Sequence, residues 1–220
     1  MRKTILFLFT LLFFISCGGH GGGGGKDLTL PNSSEATGTP VTMEETTPDS
    51  PLSSSALNFN VNVTFLNFNA SQEDKVLLAA ELIKKVVSSE EFKNAVLNHT
   101  YNGKKAFASN GGLSNAQIYK KILEGSETLN PGIDNEMDMQ LEIYQEATTT
   151  IGYTFPNTEK IWMNNKYFNQ YSAKQVTVNM MHEWLHKLGF VHDYAATAAR
   201  PYSVPYAIGY LVGDLAQKYQ

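Results

Sequence analysis

Residues 182–193 read His-Glu-Trp-Leu-His-Lys-Leu-Gly-Phe-Val-His-Asp, and this stretch sets the fold expected for the whole chain. On an α-helix, His182 and His186 differ by about 40° of rotation and about 6 Å of rise, so both imidazoles leave the same face. Gly189 allows the chain to turn out of that helix. His192 can then return toward the same point, which brings three imidazoles together.

Three imidazoles are a ligand set for catalytic zinc, because they leave one coordination position open. Zinc held by His182, His186 and His192 would polarise a carbonyl group and activate a water molecule. Glu183 adjoins the first ligand and is placed to be the general base for that water. The alternative is that the histidines are ordinary core or surface residues. Three of the chain's five histidines occupy the ligand positions, which favours the zinc site.

The stretch resembles the signature of the metzincin clan of metallopeptidases, His-Glu-x-x-His-x-x-Gly-x-x-His, which matches at every specified position from His182 to His192. The glycine and the third histidine make this match more specific than His-Glu-x-x-His alone. The resemblance implies a zinc-dependent endopeptidase that hydrolyses peptide bonds without a covalent intermediate. It also implies an α+β, zincin-like fold with a mixed twisted sheet, an active-site helix and a minimal C-terminal subdomain ending in a helix.

Metzincins also carry a methionine-containing turn below the metal, often Ser-x-Met-x-Tyr, whereas no methionine follows the motif here. The nearest equivalent is Ser-Val-Pro-Tyr at residues 203–206. In some metzincins a tyrosine of this turn binds zinc or stabilises the oxyanion. The resemblance therefore makes Tyr206 a candidate catalytic residue, with Tyr202 as the fallback. The alternative is structural: Ser203 caps the last helix, and the proline is tolerated in its first turn.

In metzincins an extended substrate pairs with an edge strand above the active-site helix, as in strand addition generally. The resemblance assigns this role to the strand near residues 161–164. Trp162 in that strand is equally consistent with a core position. Asp193 follows the third histidine, where several metzincin subfamilies have an acidic or polar residue, and a hydrogen bond within the loop is its favoured role.

Hydrophobic patterns predict one α+β domain over residues 57–220. Alternating apolar residues predict four strands, at residues 59–65, 137–144, 151–154 and 160–163. Helical spacing and capping residues predict five helices: one capped by Ser71, one at 90–97, one from Ser114, one from Ser172 to about Leu188, and one at the C-terminus.

Residues 1–16 resemble a bacterial lipoprotein signal peptide. Arg2 and Lys3 precede an apolar stretch that is too short to span a bilayer. The stretch ends at Phe-Ile-Ser before Cys17, which resembles a lipobox. Cys17 is the only cysteine and is the expected lipid anchor in the membrane. The alternative is an incidental cysteine in a signal cleaved elsewhere. The anchor predicts an outer-membrane lipoprotein that faces the periplasm or the cell surface.

Residues 17–56 contain a glycine run and then many Ser, Thr and Pro residues. They are predicted to be a disordered linker, because so few apolar residues cannot offset the entropy cost of ordering. The net charge of −4 argues against nucleic acid as a partner. The expected partner is a protein or peptide substrate.

Two further interpretations of the chemistry stay open. A catalytically silent, zinc-containing binding lipoprotein would keep the metal site without turnover, and a zinc amidase would share the same site chemistry. Asp134, Glu136 and Asp138 offer a possible calcium site, although a solvated acidic turn is the favoured interpretation of their spacing.

Overall fold

The computed structural model describes residues 59–219. The predicted signal peptide at residues 1–16, and the predicted lipid anchor and linker at residues 17–56, lie outside the described residues. Within the described part, the chain is mixed α+β, as expected, with a four-stranded mixed sheet and six α-helices. No helix between residues 59 and 219 is both long enough and apolar enough to cross a bilayer.

The elements follow the predicted order with one addition. The strands are β1 (Asn60–Leu66), β2 (Glu136–Tyr144), β3 (Gly152–Thr154) and β4 (Lys160–Asn164). The helices are α1 (Ala70–Val87), α2 (Glu90–Leu97), α3 (Asn115–Glu124), α4 (Asn165–Phe168), α5 (Ala173–Lys187) and α6 (Val204–Ala216). The sequence predicts every one of these except α4, because a four-residue helix is too short to show a hydrophobic period.

The sheet has the strand order β1-β2-β4-β3, with β1, β2 and β4 parallel and β3 antiparallel to β4. The prediction that residues 161–164 form the edge strand beside the active-site helix is therefore wrong. β4 lies between β2 and β3, and β3 is the edge, with Tyr153 opposite Trp162. The short turn between β3 and β4 makes them antiparallel neighbours, and the parallel pairing of β4 with β2 then leaves β3 outermost.

One face of the sheet is apolar and carries the main core. Along β2, Met137, Met139, Leu141 and Ile143 are buried, and the residues between them are partly exposed. This alternation is what a strand with one covered face requires. The buried side chains belong to one apolar cluster with residues of α1, α5 and α6. The opposite face of the sheet is polar along β1 and β2 and carries aromatic rings along β3 and β4, and those rings are absent from that cluster.

The N-cap of helix α1 lies two residues before the predicted one. Asn69 is the N-cap: its side chain accepts from the Gln72 N–H at 3.1 Å, and the Gln72 side chain accepts from the Asn69 N–H at 3.0 Å. This is a complete capping box. Ser71 is instead the second helical residue, so the prediction of a Ser71 cap is wrong. Asn is as good a cap as Ser, and Gln72 completes the box from Asn69.

Helix α6 packs closely against α5, because two of its glycines face that helix. A Cβ at Gly213 would overlap the Val178 side chain, and one at Gly209 would lie 3.2 Å from the Val178 carbonyl oxygen and 3.5 Å from the His182 Cβ. Apolar residues of α6 belong to the same buried cluster as Trp184 of α5. The C-terminal region thus shares the main core, and its first helical turn lies beside the histidine motif.

Candidate metal centre

The helix that carries the motif, α5, begins where the sequence predicts. Ser172 is the N-cap: its hydroxyl accepts from the Gln175 N–H at 3.4 Å, and the Gln175 side chain accepts from the Ser172 N–H at 2.9 Å. Trp184, on the second half of the helix, is fully buried and packs edge-on against Phe59 of the core. The capping box fixes the start of α5, and the packing of Trp184 on Phe59 fixes the half of the helix that carries the histidines.

Helix α5 ends in a Schellman motif, which turns the chain back. Gly189 has φ +88°, in the left-handed region that favours glycine. The Gly189 N–H donates to the His186 carbonyl at 3.0 Å, and the Phe190 N–H donates to the Leu185 carbonyl at 3.1 Å. These two bonds define the motif. The predicted helix end at Gly189 is confirmed, and the reversed chain carries His192 back to the helix.

The three imidazoles converge on one point. Their ring centroids are 5.0 Å apart for His182 and His186, 5.1 Å for His182 and His192, and 4.9 Å for His186 and His192. The Nε2 atoms of His182 and His192 are 3.2 Å apart. Nitrogens bound tetrahedrally at about 2.0–2.1 Å from zinc would be roughly 3.3–3.4 Å apart. The ligand set and its spacing therefore fit a zinc ion.

Backbone carbonyls orient two of the rings. Nδ1 of His186 lies 2.7 Å from the Phe190 carbonyl oxygen, and Nδ1 of His192 lies 3.0 Å from the Asp193 carbonyl oxygen. A carbonyl only accepts, so each Nδ1 carries the hydrogen and each Nε2 keeps its lone pair for a metal. His182 differs: its Nδ1 is buried without a well-formed hydrogen bond, although the Pro205 carbonyl acts to raise its pKa.

Burial keeps these histidines in the neutral form that a metal requires. Burial, and then the nearby His186 and His192, hold the pKa of His182 well below its ordinary value of 6.5. Burial lowers the pKa of His186 to about 4 and also lowers the pKa of His192. All three rings are therefore neutral at neutral pH, and no proton has to leave before a metal ion binds.

Glu183, the predicted base, lies on α5 beside the first histidine, and its side chain has no exposed surface. One helical step is about 100°, so its carboxylate leaves the helix next to the His182 imidazole and not on the same stripe. The negative charge of Glu183 acts on the Lys187 ammonium group, one helical turn later. Burial lowers the pKa of Lys187 to about 8, while Glu183 acts to raise it. The structure thus places a fully buried carboxylate on the residue that follows His182.

Tyr206 lies against the imidazoles. Its ring centroid is 4.5 Å from that of His182 and 4.7 Å from that of His192, and the residue is only 5% exposed. The fallback tyrosine, Tyr202, is 45% exposed, and its ring packs 5.3 Å from that of Tyr101. The structure therefore brings Tyr206 to the histidines and directs the Tyr202 ring to a different set of contacts.

The turn at residues 203–206 begins α6. Ser203 occupies the N-cap position, but its hydroxyl donates to the Arg200 carbonyl at 2.7 Å and makes no cap bond. Pro205 lies in the first turn, where a missing N–H is tolerated. The structural alternative is therefore correct for the proline and wrong for the Ser203 side chain. The same turn carries Tyr206 to the imidazoles.

Arg200 is a site residue that the sequence pattern does not reveal. Its guanidinium carbon lies 4.9 Å from the Tyr206 ring centroid, and its Nη1 donates to the Tyr194 carbonyl at 3.2 Å. Its charge adds to the lowering of the pKa of both His182 and His192, after burial. A single arginine in the short 3₁₀ helix before α6 has no spacing that marks it. Only the fold places this cation beside the imidazoles.

Asp193 has the loop role that the sequence favours. Its Oδ2 accepts a hydrogen bond from the Thr197 hydroxyl at 2.5 Å, and the Thr197 hydroxyl in turn accepts from the Arg200 N–H at 3.2 Å. The side chain of Asp193 is exposed. It therefore braces the segment between His192 and Arg200.

The edge strand β3 lies directly against α5. A Cβ at Gly152 would be 3.0 Å from the Asn179 Oδ1, one helical turn before His182. Ile151, just before the strand, is buried in a small apolar cluster with Tyr206. The edge of the sheet, the helix and the tyrosine therefore meet on one side of the imidazoles.

Trp162 is not a core residue. It is partly exposed and stacks on Tyr153 of β3, with ring centroids 5.0 Å apart and an interplanar angle of 13°. Phe155 contacts it edge-on at 5.7 Å. These rings form an aromatic group on the sheet face opposite the main core.

The predicted acidic turn has its own internal hydrogen bonds. Oxygens of Asp134, Glu136 and Asp138 lie within 4.8 Å of one another. The Asn62 amide donates to Glu136 at 2.5 Å and to Asp138 at 2.9 Å, and Asp134 accepts from the Glu136 N–H at 3.0 Å. Such bonds are typical of a solvated turn, and the choice between that and a calcium site stays a prediction.

No protein-family model, curated protein or solved structure matches the chain. The resemblance to metzincins therefore rests on residues 182–192 themselves.

Proposed function

We propose that the chain is a zinc-dependent endopeptidase of metzincin type, with His182, His186 and His192 as metal ligands and Glu183 as general base. The observation that carries the proposal is the convergence of the three imidazoles, with two Nε2 atoms 3.2 Å apart and two rings oriented by backbone carbonyls. A zinc ion held there would supply a Lewis acid and lower the pKa of a water molecule.

The chain's own residues would then move the protons. Glu183 takes a proton from the attacking water and passes it to the leaving amine, as general base and then general acid. Its full burial beside His182 keeps the carboxylate away from bulk water. A zinc-binding lipoprotein without activity would have no need of a buried carboxylate next to its ligands, so Glu183 favours the enzyme.

The proposed substrate is a protein or peptide bound in extended form along β3. As the edge strand, β3 pairs only with β4 among the described strands, so its outer side can take a further strand. A side chain in place of Gly152 would crowd Asn179, so the glycine lets this edge lie close to α5. A substrate strand on β3 would therefore run past the imidazoles. The Cys17 lipid anchor would keep this activity at the outer membrane.

Tyr206 is proposed to donate a hydrogen bond to the substrate oxygen that becomes negative. Tyr206→Phe should lower kcat by about 10²-fold, the usual cost of removing one oxyanion donor. Zinc content and KM should change little, because the ring and its packing on His182 remain. Steady-state kinetics on one peptide, with Tyr202→Phe as the matched control, measure this. An unchanged kcat in Tyr206→Phe would remove the tyrosine from the mechanism.

The direct test of the function is zinc analysis of the purified complete chain together with a casein cleavage assay. About one zinc per chain, with cleavage lost on chelation by phenanthroline and restored by added zinc, supports the endopeptidase. Bound zinc without cleavage of casein or of a broad peptide library would favour the silent binding lipoprotein. Absence of bound metal after zinc loading would overturn the proposal.

A further inference from the structure

The edge strand β3 carries one side chain on the sheet face opposite the main core. Tyr153 pairs with Trp162 of β4, whereas its two neighbours in β3 pair with Met163 and Ile161, which are buried in the core. Because side chains alternate along a strand, Tyr153 points away from the core. Its side chain is partly exposed at the edge of the sheet.

The ring of Tyr153 contacts three other rings. It stacks on Trp162 with centroids 5.0 Å apart and an interplanar angle of 13°, and it meets Tyr144 and Phe155 edge-on, each at 5.5 Å. Trp162 and Tyr144 belong to inner strands, and Phe155 follows β3 in the chain. Among residues 59–219, none of these contacts comes from beyond the edge of the sheet. The stack of rings across the strands therefore ends at Tyr153.

The spacing of strands matches the spacing of stacked rings. Neighbouring strands lie about 4.7–4.9 Å apart, and the centroids of Tyr153 and Trp162 are 5.0 Å apart. A polypeptide strand on the outer side of β3 would repeat this spacing. The side chain beside Tyr153 would then lie at roughly 5 Å from its ring, within the range of about 4.5–7 Å in which aromatic rings pair.

We infer that Tyr153 is a specificity-determining residue, which selects a polypeptide substrate with an aromatic side chain at the position beside it. The inference rests on the proposed binding of substrate along β3 and adds the class of side chain that is recognised. Tyr153 lies close to the proposed centre, because the preceding Gly152 approaches Asn179 and Ile151 shares an apolar cluster with Tyr206. The selected residue therefore stands at a fixed offset, a few positions from the cleaved bond.

The charges around Tyr153 favour an aromatic ring over a stacked guanidinium group. The Glu142 carboxylate on this face is already paired with the Lys160 ammonium group at 2.8 Å. Burial, and then Glu146 and Glu142, raise the pKa of Tyr153. Its ring is therefore neutral at neutral pH, and the nearest ion pair is complete without a cation from the substrate.

The first arm of the test maps cleavage by the complete, zinc-loaded wild-type chain. A library of casein-derived peptides is digested, and the cleaved bonds are identified by mass spectrometry. Phenylalanine, tyrosine and tryptophan should be enriched at one fixed offset from the cleaved bond. Absence of cleavage counts against the proposed peptidase, and the second arm then decides about Tyr153 separately.

The second arm measures binding without turnover, in the complete, zinc-loaded chain with Glu183→Gln. Calorimetric titration compares short peptides that differ at the selected offset, or at successive positions where no cleavage defines it. The residue there is phenylalanine, cyclohexylalanine, arginine or alanine. Cyclohexylalanine has the same carbon skeleton as phenylalanine without the aromatic ring. The phenylalanine peptide should bind about 2–10-fold more tightly, because an aromatic pair adds to simple burial.

Substitutions of Tyr153 assign this preference to the ring. In the Glu183→Gln background, Tyr153→Val should reduce the ratio of the two affinities to about one, and valine preserves the preference for a strand. Tyr153→Phe retains the ring and should retain the ratio. Tyr219→Val is the matched control, since it removes an exposed ring in the C-terminal 3₁₀ helix, and it should leave the ratio unaltered.

The outcomes separate this inference from the proposed function. An aromatic preference in binding that Tyr153→Val abolishes supports the inference, even where the wild-type chain cleaves no peptide. Equal binding of phenylalanine and cyclohexylalanine peptides, tighter binding of the arginine peptide, or an unchanged ratio in Tyr153→Val would overturn it while cleavage persists. Absence of binding of every peptide at millimolar concentration would overturn it as well.

Discussion

Replacement of Glu183 by glutamine is expected to reduce peptide cleavage by about 10²–10⁴-fold, the range that general bases contribute. Glutamine has nearly the same shape, so it fills the buried position next to His182 without a cavity. It cannot accept a proton at neutral pH, however, and the attacking water would keep both of its protons. The metal ligands are untouched, so about one zinc per chain should remain.

The measurement is kcat/KM on a single fluorogenic peptide, with zinc content determined on the same preparation. Glu81→Gln is the matched control, because it makes the same chemical change at an exposed position far along the chain on α1. That control should retain full activity. If Glu183→Gln keeps more than about a tenth of wild-type kcat/KM with zinc bound, the base must be another group, since the loss would fall below the usual range for a general base.

The parts of the structure that the sequence predicts are those that depend on neighbouring residues. The start of α5 follows from Ser172 and Gln175, three positions apart, and its end follows from Gly189 alone. The convergence of His182 and His186 follows from helix geometry. Each of these features is decided within about one helical turn, so a single segment contains all the information that it needs.

Features that depend on distant segments are the ones that the sequence does not give. β3 takes the edge because β4 pairs with β2 on its other side, and no pattern within residues 151–164 contains that choice. The bond between Glu127 and Trp184 joins residues 57 positions apart. Tyr206 and Arg200 lie beside His182 only because α6 packs closely on α5. Sequence reasoning therefore gives the three converging histidines and misses Arg200, which only the fold places beside them.

Some local predictions fail because two good solutions compete. Ser71 and Asn69 are both suitable N-caps, and Asn69 is used because Gln72 stands three residues later and completes the capping box. Ser203 is likewise at the N-cap position of α6, yet its hydroxyl bonds back to the Arg200 carbonyl. In both cases the hydrogen-bond partner, and not the residue type, decides the outcome.

Loss of a metal ligand is the second change with a large expected effect. His186→Ala should weaken zinc binding by more than about 10²-fold. Removal of a group that only hydrogen-bonds to a metal-ligating histidine already weakens metal affinity by about 10–100-fold, and loss of the ligand itself should cost more. His186 is held for this role by the Phe190 carbonyl, 2.7 Å from its Nδ1. Without its imidazole, only His182 and His192 remain, and two ligands do not complete the set.

Zinc binding should also appear as thermal stabilisation of the folded chain. At a free zinc concentration about 1,000 times Kd, a ligand that binds only the folded state adds about 4 kcal/mol. For a domain of this size, each kcal/mol raises Tm by about 2–4 °C. Differential scanning fluorimetry with and without zinc should therefore show a rise of about 8–16 °C in the wild type and almost none in His186→Ala.

His99→Ala is the control for this experiment. His99 is half-buried, stacks on Phe107 at 4.0 Å and does not belong to the converging group. Its removal should lower Tm with and without zinc by similar amounts, and the zinc-dependent rise should persist. Comparison of the rise, and not of Tm itself, separates lost packing from lost coordination. A full zinc-dependent rise in His186→Ala would exclude His186 as a ligand and, with it, the three-histidine centre.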